Sequence, residues 1–320
     1  MIFNKDGHGA EELRQATSSY YANADFDKIS GIVETVQGEV ALQIGLPVMD
    51  SIDTAYRNGT DAELVKAAQK CVGYMSVLRY FRLNDISHET DGRKVKMDSD
   101  NERRPFEWQL ERDDQMHLQE YYNAFDRLVL LLQNNNTFKE GELYKRQQQL
   151  CITNAGVLEW VTGIEATPYL YMRMVPFLHM AQLKVEERLG SAIADITDDA
   201  LKFLAQAATG NRGVALFVQR TEMRLLPSGA FREAVKSGAG SKRSTTEALH
   251  DYYQHMLQVS ENYVKDMQCR RDVLADAHTE HLVVPENDEK NKFFIVSKNI
   301  LTNSLENVIM KLPREKEKRK

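Results

Sequence analysis

The chain has 320 residues, 42% hydrophobic and 28% charged, which is room for one large domain or two ordinary ones with a real core. A net charge of −6 argues against a general nucleic-acid binder, whose affinity comes from neutralising phosphates. Three cysteines, Cys71, Cys151 and Cys269, stand far apart with no CxxC pair, which argues against a disulfide framework or a zinc ribbon. No run approaches the roughly 18 apolar residues of a membrane span, and the first residues lack the apolar stretch of a signal peptide.

In chain order, residues 1–24 read as a polar, Ser- and Ala-rich N-terminal arm. Ile29, Ile32, Val33, Val36, Val40 and Ile44 recur at three- and four-residue steps and predict a helix from about 27 to 44, ended by Gly45. A shorter helix from 48 to 56 closes at Asn58-Gly59. Thr60-Asp61-Ala62-Glu63 reads as a capping box before a helix with two apolar stripes, Leu64, Ala68, Cys71, Met75, Leu78 and Ala67, Tyr74, Phe81. A face that wide predicts a central, buried helix. Residues 84–104 are charged and nearly free of large apolar residues, a long polar loop. Pro105 suits the first position of the next helix, and Asn134-Asn135-Asn136 stops it.

Residues 137–166 form a connection with some helical character. Thr167-Pro168 starts the next helix, which ends near Gly190. Thr197-Asp198-Asp199 starts another, and Gly210-Asn211-Arg212-Gly213 predicts an interruption or bend in it. A second polar loop, 226–243, precedes a capping box at 244–247 and the longest helix, to about 280, with Leu249, Tyr252, Tyr253, Met256, Val259, Tyr263 and Met267 inward. Phe293-Phe294-Ile295-Val296 is strand-like, and the last ten residues carry six basic and two acidic side chains.

Three echoes keep the same order in both halves. Gly45 and Gly190 each follow a helical pattern. Leu64, Gln69 and Gly73 match Leu201, Gln206 and Gly210. Leu118–Asn123 matches Leu249–Gln254, which places Tyr121-Tyr122 against Tyr252-Tyr253. The expectation is an all-α chain of two related helical units, 25–136 and 167–282, with a connection at 137–166, long loops, and a partly extended C-terminal tail at 283–320.

Catalytic signatures are scarce. Glu247 and His250 have Glu-x-x-His spacing, but a di-metal bundle needs a second such motif and two further carboxylates. His278 and His281 are three apart, not at the i, i+4 spacing of a zinc hydrolase. Gly240-Ser241-Lys242-Arg243-Ser244 lacks the upstream glycine and strand of a phosphate loop. The expectation is no enzyme, with no cofactor and no metal. The strongest functional segment is Gly92-Arg93-Lys94 through Arg103 and Arg104 to Phe106 and Trp108, with Lys242 and Arg243 on the second loop. Mixed charge beside aromatic residues suits an interface.

At these residues the chain resembles a known family. Phe3-Asn4-Lys5-Asp6, Gly92-Arg93-Lys94 and Pro105-Phe106-Glu107-Trp108 followed by Arg112-Asp113 are similar to a family of uncharacterised virion structural proteins carried by tailed phages and prophages of gut Bacteroidetes, over residues 1 to about 270. The doubled helical units are similar in kind to head–tail connector and adaptor proteins. The resemblance implies a homo-oligomeric ring beneath the portal, partners among portal, tail and neighbouring connector proteins, DNA passing without sequence-specific binding, no membrane, and location in the virion after assembly in the host cytoplasm. Two other functions fit the residues: a non-virion helical interaction protein, and a helical metal-binding enzyme.

Overall fold

The computed structural model describes residues 1–18, 25–84, 87–89, 92–94, 106–221, 224–226, 229–231 and 246–282. It is all-α. The helices are α1 (Gly9–Thr17), α2 (Asp27–Ile44), α3 (Leu46–Asn58), α4 (Ala62–Asn84), α5 (Glu107–Leu132), α6 (Asn136–Glu140), α7 (Glu142–Gln148), α8 (Ala155–Thr162), α9 (Pro168–Leu189), α10 (Asp199–Thr221) and α11 (Thr246–Leu282). Two short antiparallel hairpins interrupt this pattern. β1 (Ser87–Glu89) pairs with β2 (Gly92–Lys94) after α4, and β3 (Arg224–Leu226) pairs with β4 (Gly229–Phe231) after α10. The chain divides into a unit Met1–Arg270 and a unit Arg271–Lys320. In the second unit the described residues are helical, and Arg271 Nη2 lies 3.0 Å from Asp272 Oδ1.

Most helix limits follow local chemistry. Gly45 ends α2 at φ 105°, with its amide on the Ala41 carbonyl, a backbone region that side chains avoid. Gly190 ends α9 in the left-handed conformation, with its amide on Glu186. Thr167 caps α9 by accepting the Leu170 amide at 3.2 Å, with Pro168 at the first position.

Four expectations change. Residues 1–18 are packed, not projecting: Ile2, Phe3 and Leu13 are buried in the core, and α1 lies against α4. Residues 19–24 of the expected arm lie outside the described residues. The Glu63 carboxylate pairs with Arg127 of α5, which draws it away from a capping box with Thr60. Helix α5 begins two residues after Pro105, and the Gln109 side chain accepts the Phe106 amide at 2.9 Å. Finally, α10 runs unbroken through Gly210 and Gly213. Their missing side chains serve packing. A Cβ at Gly210 would stand 2.8 Å from Thr162 Cγ2 of α8, and one at Gly213 would stand 2.6 Å from Leu178 Cδ2 of α9. The space gained against neighbouring helices outweighs glycine's cost in a helix, about 1 kcal/mol.

Buried apolar side chains form two clusters. One gathers α1 to α5 around Phe125, Leu128, Ile29 and Ile52, and the other gathers α8 to α11 around Leu158, Leu178, Val175 and Met256. The same hydrogen bonds recur in each. The Ile2 amide donates to Gln37 Oε1 of α2 at 3.0 Å, and Gln69 Nε2 of α4 donates to the Ile2 carbonyl at 2.8 Å. The Cys151 amide donates to Gln182 Oε1 of α9 at 2.8 Å, and Gln206 Nε2 of α10 donates to the Cys151 carbonyl at 2.7 Å. One helical turn beyond each α4 or α10 glutamine lies a glycine, Gly73 or Gly210, against the methyl of Thr17 or Thr162. Each of those threonines also bonds back four residues, to Leu13 or Leu158.

The clusters meet where α5 touches α9. The Tyr169 ring lies 4.2 Å from that of Phe125 and 5.8 Å from that of Tyr122, centroid to centroid. The Asp126 carboxylate accepts the Tyr169 amide at 2.7 Å, and the Tyr169 hydroxyl donates to Gln43 Oε1 at 2.8 Å.

Candidate interaction site

The expected interface residues divide into three groups. Gly92, Arg93 and Lys94 form strand β2, paired in register with Glu89, His88 and Ser87. Arg103, Arg104, Lys242 and Arg243 lie outside the described residues. Phe106 and Trp108 open α5 with 61% and 52% of their surfaces exposed. Three more apolar side chains are exposed nearby in sequence, Leu83 at the end of α4 and Leu110 and Met116 on α5. Hydrophobic residues scattered singly on a surface are ordinary, whereas grouped ones mark contacts.

Side-chain contacts join α4 and α5 at this end. Arg82 Nε of α4 reaches Asp114 Oδ2 of α5 at 2.9 Å. One turn further along α5, His117 is buried, its Nδ1 is 3.0 Å from the Asp113 carbonyl, and Phe81 and Tyr74 meet its ring at 5.8 and 6.4 Å between centroids. The pair α4–α5 therefore ends in a segment bearing aromatic side chains, with the β1–β2 hairpin in the connection between the two helices.

The other motifs do not converge. Glu247 and His250 are exposed on α11, and the His250 ring lies 6.2 Å from that of Tyr253. His278 and His281 lie in α11, with side chains outside the described set, as does all of 240–244. No group of three or more His, Cys, Asp or Glu side chains among the described residues could hold a metal ion. No helix among them is long and apolar enough to cross a membrane. Burial drives the Cys71 thiol well above its ordinary range and pushes Cys151 up to about 11. Both thiols are thus kept protonated at neutral pH, and a protonated thiol is a poor nucleophile. Burial likewise raises Tyr121 and Tyr171.

Sequence reasoning missed one feature. A cleft of about 600 Å³ opens where α5, α7, the 153–156 segment and the start of α9 meet. Val129, Leu130 and Tyr171 form its apolar wall, and Gln133, Gln147 and Thr153 line it with amide and hydroxyl groups. The available signal was the run Gln147-Gln148-Gln149. Sequence spacing alone does not bring Gln147 to Gln133, which sits on another helix.

No protein-family model, no curated protein and no solved structure matches this chain.

Proposed function

We propose that this protein is a virion structural component of a tailed phage, a head–tail connector or adaptor built from two related helical units. Copies of it would assemble head-to-tail into a ring beneath the portal. The observation that carries the proposal is the exposure of Phe106 and Trp108 at the start of α5, with Leu83, Leu110 and Met116 also exposed on the paired α4 and α5. Aromatic side chains are among the residues that dominate interface energies. They coincide with the Phe106–Trp108 segment that carries the sequence resemblance. The recurring glutamine pairs and glycine contacts support kinship of the two units. A mildly acidic chain suits a ring through which DNA slides, since there is little phosphate neutralisation to hold it.

Light scattering on purified protein, followed by two-dimensional class averages, tests the proposal. Ring-sized particles are expected. Trp108→Ala together with Phe106→Ala should weaken their assembly at least tenfold and leave thermal stability nearly unchanged, because both side chains are exposed. A strictly monomeric protein that is also missing from virions overturns the connector.

A further inference from the structure

The 600 Å³ cleft has a chemistry of its own. Its volume lies within the roughly 300–1,000 Å³ typical of ligand sites, and none of its lining side chains is charged. Gln147 is only 5% exposed. Its Nε2 is spent on Thr153 O at 3.1 Å and, more distantly, on Gln133 Oε1 at 3.5 Å. This leaves the Gln147 Oε1 and the Gln133 Nε2 without partners among the described residues. No buried side-chain N or O among them lacks a hydrogen bond, so the free Gln147 oxygen is open to the cleft it lines. The site therefore offers one acceptor and one donor beside the apolar wall of Val129, Leu130 and Tyr171.

One acceptor and one donor are the complement of a peptide group, which carries one N–H and one C=O. The protein already uses this recognition twice on its own backbone. Gln37 and Gln69 hold the Ile2 peptide groups, and Gln182 and Gln206 hold those of Cys151. We propose that the Gln133–Gln147 cleft binds an extended, uncharged peptide segment of another chain, with its backbone on the two glutamines and an apolar side chain against Leu130 and Tyr171. Phosphate-bearing ligands are disfavoured because no Lys or Arg lines the cleft to offset their charge. The proposal stands apart from the connector reading and needs no ring.

The test is an affinity selection on the full chain with a pool of N-acetylated, C-amidated hexapeptides free of ionisable residues. Fluorescence anisotropy on the enriched peptides follows. Enriched peptides should bind wild type and lose at least tenfold in affinity with Gln147→Leu and with Gln133→Leu. Gln147→Leu also removes the bond to Thr153, so Leu130→Arg at the half-exposed rim serves as a variant whose folding is not at risk. It too should lose at least tenfold. Absence of enrichment, binding indifferent to all three variants, or binding of an oligonucleotide in place of the peptides overturns the proposal, and none of these outcomes bears on ring formation.

Discussion

The helices α1 to α5 and the helices α8 to α11 carry the same clamp, the same glycine contact and a glycine of positive φ at a helix end, yet they differ at a close-packing position. In the first set α4 packs extensively on α5, and in the second α10 packs extensively on α9 and is tied to α11 by Ser260 and Glu261. One position separates the two sets. Three residues after the shared glycine, α4 has Ser76, which is buried and bonded back to Val72 O at 2.7 Å, whereas α10 has Gly213, pressed on Leu178. A residue without a side chain lets a neighbouring helix come close; a residue with one holds it off. The inner face of α5 is correspondingly rich, with Tyr121, Ala124, Phe125, Leu128, Val129 and Leu132 buried, while that of α11 buries Met256, Ser260, Val264 and Met267.

The largest effect that would sharpen this contrast is expected at α5. Phe125→Ala should cost about 3–5 kcal/mol, the usual cost of emptying a fully buried aromatic site. Ser260→Ala on α11, which loses one hydrogen bond to the Ala208 carbonyl, should cost about 1 kcal/mol. Urea denaturation measures both, and equal losses would break the contrast. Next come the glycines. Gly213→Val should destabilise by about 1–3 kcal/mol through overpacking, since even a Cβ meets Leu178. Ser76→Ala should be nearly neutral. Gln69→Leu and Gln206→Leu should each cost about 1–3 kcal/mol by leaving a carbonyl unsatisfied. Matching values support equivalence of the two clamps, and a twofold disparity argues against it.

Smallest is an acid effect at the start of α10, where Asp198 meets Arg270 of α11. Asp198 caps the Leu201 amide at 2.8 Å and bonds Arg270, and these bonds hold its carboxyl below the ordinary aspartate range. A depressed value in the folded protein means stability that is present above the ordinary pKa of about 4 and lost as pH falls below it. Asp198→Asn should flatten the pH dependence of the melting temperature below about pH 4. The change should be slight, because exposed pairs are worth little.

Helical periodicity made most of the fold legible. The limits of α2 and the cap of α9 follow from Ile, Val, Thr, Pro and Gly in fixed positions, and the central burial of α4 from its double stripe. On α11 the expected inward face holds at Met256 and Met267, which are buried, and at Tyr253 and Tyr263, which pack on the core, but not at Tyr252. Tyr252 is 38% exposed, and the buried line runs through Met256, Ser260, Val264 and Met267. Tyr121 is buried on α5 whereas its sequence match on α11, Tyr252, is exposed, so the matching Tyr-Tyr pairs do not share one burial pattern. A serine in that line hides the stripe from hydrophobic spacing, because its burial depends on the Ala208 carbonyl it meets. The glycines of α10 misled for a similar reason, since composition cannot separate a breaker from a close contact. Phe106 and Trp108 are legible in the sequence as aromatic residues beside charge. The glutamine-lined cleft was not, because tertiary folding alone joins α5 to α7.

The glutamine clamp has a consequence for solvent access. Cys151 belongs to no helix or strand, yet its amide hydrogen is engaged by one side chain and its carbonyl by another. In heavy water that amide should keep its proton as the helical ones do, exchanging only when the surrounding helices open. A map of isotope uptake would then draw the stable body to include an irregular stretch of backbone, fastened by side chains alone.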